Sequence, residues 1–342
     1  MRLRAQVPLA SCTTLRLGGP ATRLLDLTDE SEIPQAFAPQ EPICILGGGS
    51  NVVVADQGFD GTVIRLDLRG ILPTRSEHRV EIEASAGEPW DSLVARTVDE
   101  GWSGLECLSG IPGLVGATPI QNVGAYGYEV SERIRSVRVY DRDARSFRHI
   151  DAAACGFAYR SSMFRQNPRF VVVSVRFALQ VANDAPVRYA ELAQTLHVPN
   201  GQRASLGAIR QAVLELRRSK GMIVSHDDPD SVSVGSFFVN VIQTVDDLQE
   251  LERRASPERV PRFAFGDLWK VPAAWLIERA GFHKGYGEGP VGVSRKHTLA
   301  LVHRGGGHTA DLLALARSIR NGVKNRWGVD LVAEPVFVGC QL

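Results

Sequence analysis

The feature of this sequence that most constrains its fold is a glycine-rich stretch without charge, residues 109–127 (SGIPGLVGATPIQNVGAYG). It contains five glycines and two prolines, and it has no Lys, Arg, Asp or Glu. A surface loop usually carries charge, and a core helix tolerates little glycine. We therefore expect a backbone that approaches a ligand closely and offers it N–H groups, as a flat, anionic dinucleotide would require. A glycine-rich connection inside a packed sheet is the alternative.

Length and composition exclude several classes of protein. A chain of 342 residues predicts two or three domains, and 44% hydrophobic with 23% charged residues is typical of a soluble globular protein. The net charge of +1 gives no reason to expect nucleic acid or a membrane as partner. Five dispersed cysteines without a C-x-x-C pair indicate reduced thiols. With no signal peptide and no long apolar run, we expect a cytoplasmic protein.

Hydrophobic periodicity predicts a mixed α+β chain. The expected strands are residues 42–46, 52–55, 61–66, 134–140, 170–179, 298–302 and 334–338. The expected helices are residues 88–101, 205–219, 271–280 and 309–327, with Ser205 as the N-cap of the second. Residues 220–236 are polar and predict a linker between domains.

A second charge-free glycine loop, residues 47–51 (GGGSN), lies between two predicted strands. It opens a strand rather than a helix, so it is not the Rossmann fingerprint. A plain β-turn is the alternative, but two such loops in one half of the chain favour a dinucleotide site. Residues 226–230 (HDDPD) and 303–308 (HRGGGH) lack metal-ligand spacing, so we expect solvated acids in the first, a turn in the second, and no metal site.

The motifs GGGSNVVV, ECLSGIPGLVGATPIQNVGAYG, AYRSSMF, RRSKGMI, VGSFFVN and AEPVFVG occur in this order along the chain. In this it resembles the UDP-N-acetylenolpyruvoylglucosamine reductases, flavoenzymes of bacterial peptidoglycan precursor synthesis. The resemblance implies an FAD-binding fold of the vanillyl-alcohol-oxidase (PCMH) type with an added C-terminal α+β substrate domain. It divides the chain into three domains. Residues 1–67 with residues 332–342 form the first, residues 68–220 form the second, and these two sandwich FAD. Residues 221–331 form the substrate-binding domain.

The resemblance also implies the chemistry. NADPH reduces FAD, and hydride then passes to the methylene carbon of the enolpyruvyl ether of UDP-N-acetylglucosamine enolpyruvate. Ser236 matches the family's proton donor, and Arg160 matches the arginine that holds the substrate carboxylate and the developing enolate. Glu334 matches the active-site glutamate, which we expect to be protonated in catalysis or to share its charge with Arg160. Taken singly, these residues would be a turn serine, a surface arginine and a solvent-facing glutamate.

Binding residues follow from the same resemblance, which also implies a monomer. The expected FAD-binding residues lie in the two glycine loops: Gly47, Gly48, Gly49, Ser50, Asn51, Pro112, Gly113, Gly116, Ala117, Asn122, Gly124, Ala125, Tyr126 and Gly127. The expected substrate-binding residues are Tyr159, Tyr189, Lys220 and Asn240. The chain departs from the family pattern in SFFVNV, which lacks the usual proline, and at Glu278, where no glutamine contact is assigned.

Two other functions remain open at the level of sequence. An oxidase of small sugars or alcohols could use the same flavin fold, but it would not need Ser236 together with Arg160 and Lys220. A catalytically inactive flavin- or UDP-sugar-binding regulator would have no reason to keep a proton donor. Turnover of the enolpyruvyl sugar distinguishes both from a reductase.

Overall fold

The computed structural model describes residues 1–38 and 41–342, which form two compact units. The first unit comprises Met1–Val7, Ala21–Gly49 and Asp60–Ile223. The second comprises Pro8–Pro20, Ser50–Phe59 and Val224–Leu342. The three-domain division expected from the sequence stays a prediction.

The secondary structure of the described residues is mixed. The strands are β1 (Arg2–Pro8), β2 (Pro20–Leu27), β3 (Ile43–Ile45), β4 (Val52–Val54), β5 (Phe59–Leu66), β6 (Ile71–Arg75), β7 (Arg79–Ser85), β8 (Trp102–Ser103), β9 (Gly124–Ala125), β10 (Tyr128–Glu129), β11 (Ile134–Asp141), β12 (Ser146–Asp151), β13 (Phe170–Val181), β14 (Asp184–Pro186), β15 (Arg203–Ser205), β16 (Ser233–Ser236), β17 (Val241–Gln243), β18 (Phe263–Phe265), β19 (Leu268–Val271), β20 (Val291–Val293), β21 (Ala300–His303) and β22 (Val336–Val338). The helices are α1 (Ile33–Ala36), α2 (Trp90–Asp99), α3 (Ala190–Thr195), α4 (Leu206–Ser219), α5 (Val245–Ala255), α6 (Ala273–Arg279) and α7 (Thr309–Trp327).

The first unit is built on an antiparallel sheet in the order β12-β11-β13-β7-β6, with β8 also paired to β13. The central strand β13 reads FVVVSVRFALQV and is buried over most of its length, which explains its near-continuous apolar run. Helices α2 and α4 contribute Trp90, Leu93, Ile209 and Val213 to the same core. A second sheet, in the order β1-β2-β5-β3, has β3 parallel to β5.

The second unit contains two three-stranded sheets, in the orders β16-β21-β20 and β17-β19-β18. Its core includes the buried face of α7, where Leu312, Ala316 and Ile319 are fully buried. Strand β22, close to the end of the chain, pairs in parallel with β4, so that Val336 lies beside Val52.

The four helices predicted from the sequence are confirmed as α2, α4, α6 and α7, the last with the same bounds. Ser205 is confirmed as the N-cap of α4, because its Oγ accepts a hydrogen bond from the N–H of Ala208 at 3.3 Å. The predicted strands are present with shifted ends; the strand expected from residue 334 begins only at Val336. In the described part of the chain, no helix combines the length and the apolar character that a bilayer crossing requires.

The interpretation of residues 220–236 as a polar linker is wrong for its second half, which contains a one-turn helix, Pro229–Ser231, and then β16. The acids of this segment are not simply solvated. Asp230 is 4% exposed and accepts hydrogen bonds from the N–H and the Nε of Arg295, and Asp228 is paired with Lys296 at 2.8 Å. A buried carboxylate requires such partners, and composition alone did not reveal them.

Candidate functional site

The two glycine loops meet inside the first unit. A Cβ placed on Gly48 would lie 2.8 Å from the Cα of Gly113, and a Cβ on Gly47 would lie 3.6 Å from the Cβ of Ala117. Gly48 is nonetheless exposed to solvent, so bare backbone from both loops is accessible there. Such a cradle, which a single side chain would fill, fits the close approach of a flat dinucleotide.

Other glycines of these two loops are required by the backbone conformation. Gly49 has φ of 64° and Gly113, which follows Pro112, has φ of 129°, backbone conformations that side chains rarely adopt. Ser50 and Asn51 continue the first loop into the second unit. Gly49 and Gly113 are therefore needed for the backbone conformation of the loops.

Gly116 packs against the sheet. Its N–H donates to the carbonyl of Ala86 at 3.0 Å, and a Cβ there would lie 2.5 Å from the Cβ of Ala86. The N–H of Val115 likewise donates to the carbonyl of Glu88, and the carbonyl of Gly113 accepts from the N–H of Trp90. Part of the glycine-rich stretch is thus a packed connection, as the alternative interpretation expected, and these N–H groups already have partners within the chain.

The stretch ends in a hairpin formed by β9 and β10. Its two turn residues, Tyr126 and Gly127, have φ of 50° and 82°, the signs that a tight type I′ hairpin turn needs. The buried side chain of Asn122 holds the hairpin: its Nδ2 donates to the carboxylate of Glu129 at 2.7 Å and its Oδ1 accepts from the N–H of Ser131. Gly124 and Ala125 form β9 itself.

Tyr159 and Arg160 occupy the centre of a tight turn beside this hairpin. The turn is closed by two hydrogen bonds between Ala158 and Ser161. Arg160 has φ of 52°, its Nη2 donates to the carbonyl of Gly124 at 2.8 Å, and its Cζ lies 5.3 Å from the ring centroid of Tyr159. A non-glycine residue in this left-handed conformation costs about 1–2 kcal/mol, and such strain clusters at functional sites.

Tyr126, Tyr189 and Lys220 come together in the first unit. The two rings stand edge to face with centroids 5.6 Å apart, and the Nζ of Lys220 is 6.0 Å from the ring centroid of Tyr126. Lys220 also pairs with the carboxylate of Glu191 on α3 at 2.6 Å. Burial raises the pKa of Tyr126 to about 12 and, with the charge of Glu191, raises that of Tyr189, so both phenols stay protonated at neutral pH.

In the second unit, Ser236 ends β16 opposite Ala300 of β21. The register shifts between Ser233 and Ser236, and Gly235 has φ of 74°. An irregularity of this kind changes the direction in which the next side chain points. The sequence GSFF therefore places a hydroxyl at a bulged strand end.

Glu334 is bonded through its backbone to Phe237, the residue after Ser236. Its N–H donates to the carbonyl of Phe237 at 2.9 Å, and its own carbonyl accepts from the Nδ2 of Asn51 at 3.5 Å. Because the carbonyl of Asn51 also accepts from the N–H of Val336, the first glycine loop is tied to the end of the chain. The second unit thus brings together three predicted site residues that are distant in sequence.

Asn240, expected to bind substrate, has a structural contact as well. Its Oδ1 accepts a hydrogen bond from the N–H of Ala273, the first residue of α6, at 3.1 Å. This bond satisfies one of the backbone donors that a helix start leaves open. One residue that the sequence interpretation missed is Glu191, which pairs with Lys220. It is a charged residue close in sequence to Tyr189, but no spacing rule singled it out.

Among residues 1–38 and 41–342, no group of His, Cys, Asp and Glu side chains has the arrangement of a metal site. His303 accepts from the N–H of Gly307 through Nε2, and its Nδ1 is 3.2 Å from the carbonyl of Leu15. Its ring nitrogens are thus engaged by Gly307 and Leu15, and burial lowers its pKa.

Comparison with known protein families gives two matches. The family model described as "UDP-N-acetylenolpyruvoylglucosamine reductase, C-terminal domain" matches residues 227–338. The family model described as "FAD binding domain" matches residues 31–148. The second match contains the GGGSN loop and the whole of the stretch 109–127.

Individual relatives cover nearly the whole chain. A UDP-N-acetylenolpyruvoylglucosamine reductase of Thermobifida fusca is 52% identical, with 98% of each chain covered. That of Salinispora arenicola is 50% identical, over 99% of this chain and 96% of the relative. A crystal structure of the reductase from Thermus caldophilus covers 99% of both chains with a TM-score of 0.68; at 23% identity it shows the fold alone.

Proposed function

Because the chain belongs to the UDP-N-acetylenolpyruvoylglucosamine reductase family, we propose that it reduces the enolpyruvyl group of UDP-N-acetylglucosamine enolpyruvate to give UDP-N-acetylmuramate, with NADPH as reductant. The family expected from the motifs is confirmed, as is the α+β FAD-binding fold of the vanillyl-alcohol-oxidase type. The protein is an FAD-dependent oxidoreductase.

The exposed backbone at Gly48 and its contact with Gly113 support the assignment of the two glycine loops to FAD, because a side chain at Gly48 would fill the cradle. FAD supplies hydride transfer between NADPH and the methylene carbon of the enolpyruvyl group. The residues that would hold it lie in segments 47–51 and 112–127, with Gly116 and Asn122 acting through the packing of the second loop.

The single observation that best supports the catalytic roles is the backbone bond between Glu334 and Phe237, which joins the strand end of Ser236 to the segment of Glu334. The hydroxyl of Ser236 donates the proton to the carbon beside the substrate carboxylate, where negative charge develops. A hydroxyl is a weak acid, but an enolate is a strong base, so an aligned donor suffices. Glu334 acts protonated, since an ionised carboxylate would repel the enolate.

Arg160 binds the substrate carboxylate and stabilises the developing enolate. Its guanidinium keeps its charge and presents a planar fork of donors. The strained backbone of Arg160 and its bond to the carbonyl of Gly124 support this role, because they fix the side chain before substrate arrives. Tyr159, which lies against the guanidinium, would contact the same end of the substrate.

The nucleotide half of the substrate is assigned to Tyr189, Lys220 and Asn240. The clustering of Tyr189 and Lys220 around Tyr126 supports the first two. For these roles Lys220 must exchange or share its bond to Glu191. We further propose a monomer in the cytoplasm that serves peptidoglycan synthesis, and through it cell wall biogenesis, cell shape and cell division.

The test is to measure the two half-reactions of Ser236→Ala separately under anaerobic conditions. Flavin bleaching by NADPH should be nearly normal, whereas recovery of the flavin colour on addition of the enolpyruvyl sugar should slow by orders of magnitude. The NADPH step is the internal control for folding and cofactor binding. Equal loss in both steps would mean that Ser236 is structural, and a wild-type protein that ignores the sugar would refute the substrate.

A further inference from the structure

The strand that carries Ser236 contains a bulge immediately before this residue. Ser233 pairs with Val302 of β21, and three residues later Ser236 pairs with Ala300, only two residues before Val302. Two residues of β16 therefore lie opposite one residue of β21, which is the arrangement of a β-bulge. Gly235, with φ of 74°, has the left-handed conformation that such a bulge often needs. The bulge thus sets the direction in which the side chain of Ser236 leaves the sheet.

The side chain of Ser233 holds this bulge. The extra residue of a bulge is left without a partner in the sheet, and here the N–H of Gly235 donates to the Oγ of Ser233 at 3.1 Å. A serine hydroxyl that bonds to the N–H two residues later stabilises a turn. Ser233 is itself fixed, because it is 5% exposed and its carbonyl accepts from the Oγ1 of Thr14 at 2.6 Å. The bulge is therefore held from a buried support.

The bulge brings two residues to the surface of an otherwise buried segment. Among residues 231–238, Gly235 and Ser236 keep part of their surface exposed, and the other six are buried. Phe237 and Phe238 are fully buried, with ring centroids 5.1 Å apart, so they anchor the chain after Ser236. Beyond its two chain neighbours, no described atom lies within 4 Å of the position of a Cβ on Gly235. Ser236 thus follows a point where a fixed backbone reaches open space.

We propose that Ser233 is a positioning residue for the proton transfer assigned to Ser236. The inference rests on the proposed function, in which the O–H bond of Ser236 breaks, a C–H bond forms at the enolate carbon, and the alkoxide then takes up a proton from water. A hydroxyl donates well in this step only when it is within hydrogen-bond reach of the carbon. By accepting the N–H of Gly235, Ser233 keeps the backbone in the conformation that presents this hydroxyl before substrate binds.

The experiment compares Ser233→Ala and Ser233→Thr with Ser231→Ala in the FAD-loaded protein. Ser231 is the matched control, because it is an equally buried serine of the same segment whose Oγ bonds to the backbone of Ser225 and Asp228. The two half-reactions are followed anaerobically through the flavin absorbance.

Ser233→Ala should be reduced by NADPH at the wild-type rate and reoxidised by the enolpyruvyl sugar about 10–100-fold more slowly, since a misplacement of about 1 Å can cost 100-fold. Ser233→Thr keeps the acceptor oxygen and should recover most of the rate. Ser231→Ala should be reoxidised as fast as the wild type.

A solvent deuterium isotope effect separates a misplaced donor from general damage to the fold. The isotope effect on reoxidation should be larger in Ser233→Ala than in the wild type, because proton transfer then limits the rate. Slower reoxidation with an unchanged isotope effect would make Ser233 merely structural and overturn the inference. Wild-type reoxidation in a folded Ser233→Ala, or an equal loss in Ser231→Ala, would overturn it as well.

A second variant covers the case in which Ser233→Ala does not unfold cooperatively. Ser233→Cys is close in size but has a weaker acceptor, so the same comparison decides, and wild-type reoxidation in that folded variant overturns the inference. A wild-type protein that ignores the enolpyruvyl sugar, or a Ser236→Ala variant that is reoxidised normally, would instead refute the proposed function.

Discussion

Replacing Gly48 by alanine tests whether contact between the two glycine loops forms the FAD site. The added Cβ would lie 2.8 Å from the Cα and 3.4 Å from the carbonyl carbon of Gly113. Carbon atoms pack at about 3.5–4.0 Å, so one loop must move by about 0.7 Å or more. Both obstructing atoms belong to the backbone, so no rotamer change can relieve the contact.

The expected cost comes from this overlap. Overpacking of a single methyl typically costs about 1–3 kcal/mol. If that cost falls on the cofactor-binding form, FAD affinity drops by about 5–150-fold, since 1.4 kcal/mol corresponds to tenfold. The backbone angle contributes nothing, because the φ of Gly48 lies outside the left-handed region.

The assay is titration of the apoprotein with FAD, followed by flavin fluorescence, with Gly47→Ala as the matched control. Gly47 also has an ordinary φ, but its Cβ would meet only the Cβ of Ala117, at an unstrained 3.6 Å. Gly47→Ala should therefore lose less FAD affinity than Gly48→Ala does. Equal affinities of the two variants would refute the reasoning, because the two positions differ in the contact with Gly113.

Three further outcomes are expected. Asn240→Asp keeps the acceptor for the N–H of Ala273 and should leave thermal stability unchanged while weakening UDP binding by charge repulsion; equal UDP affinity in calorimetry would remove Asn240 from the substrate site. Ser205→Ala removes the N-cap of α4 and should cost about 1 kcal/mol in urea unfolding, with no change in FAD content. Burial opposes ionisation of Asp230, but the hydrogen bonds from Arg295 outweigh it and lower its pKa. The stability it contributes is complete above the unfolded-state pKa of about 4 and is lost as pH falls through the lower folded value. Asp230→Asn should therefore destabilise the protein at pH 7 and differ less from the wild type at pH 3, and a pH-independent difference would contradict this.

The sequence predicted well those elements that are determined by interactions between residues close to one another in the chain. Helix α7 was predicted with its observed bounds because its apolar period is regular and Gly328, with φ of 75°, ends it. The C-terminal strand was predicted two residues too early, since its start depends on pairing between Val336 and Val52, which are far apart in sequence. No local pattern specifies which residues of a segment find a partner across the fold.

The same distinction applies to the site. Composition identified both glycine loops, but it could not tell Gly48, which leaves backbone accessible, from Gly116, which packs against Ala86. The sequence RRSK likewise presents three cations in four residues, and only the fold shows that the Nε of Arg217 is buried without a partner among the described residues. Burial and partner choice are tertiary properties, so the sequence indicates a region and the structure separates the roles within it.

Backbone strain gives independent support to the site. Asn122, Tyr126 and Arg160 have φ of 46°, 50° and 52°, a conformation in which glycine would avoid a cost of about 1–2 kcal/mol for each residue. All three keep a side chain, and the described contacts of Asn122 and Arg160 fix the hairpin and the turn to one another through the carbonyls of Ala158 and Gly124. These two contacts hold the hairpin and the turn in fixed positions, which is what a preorganised binding site requires.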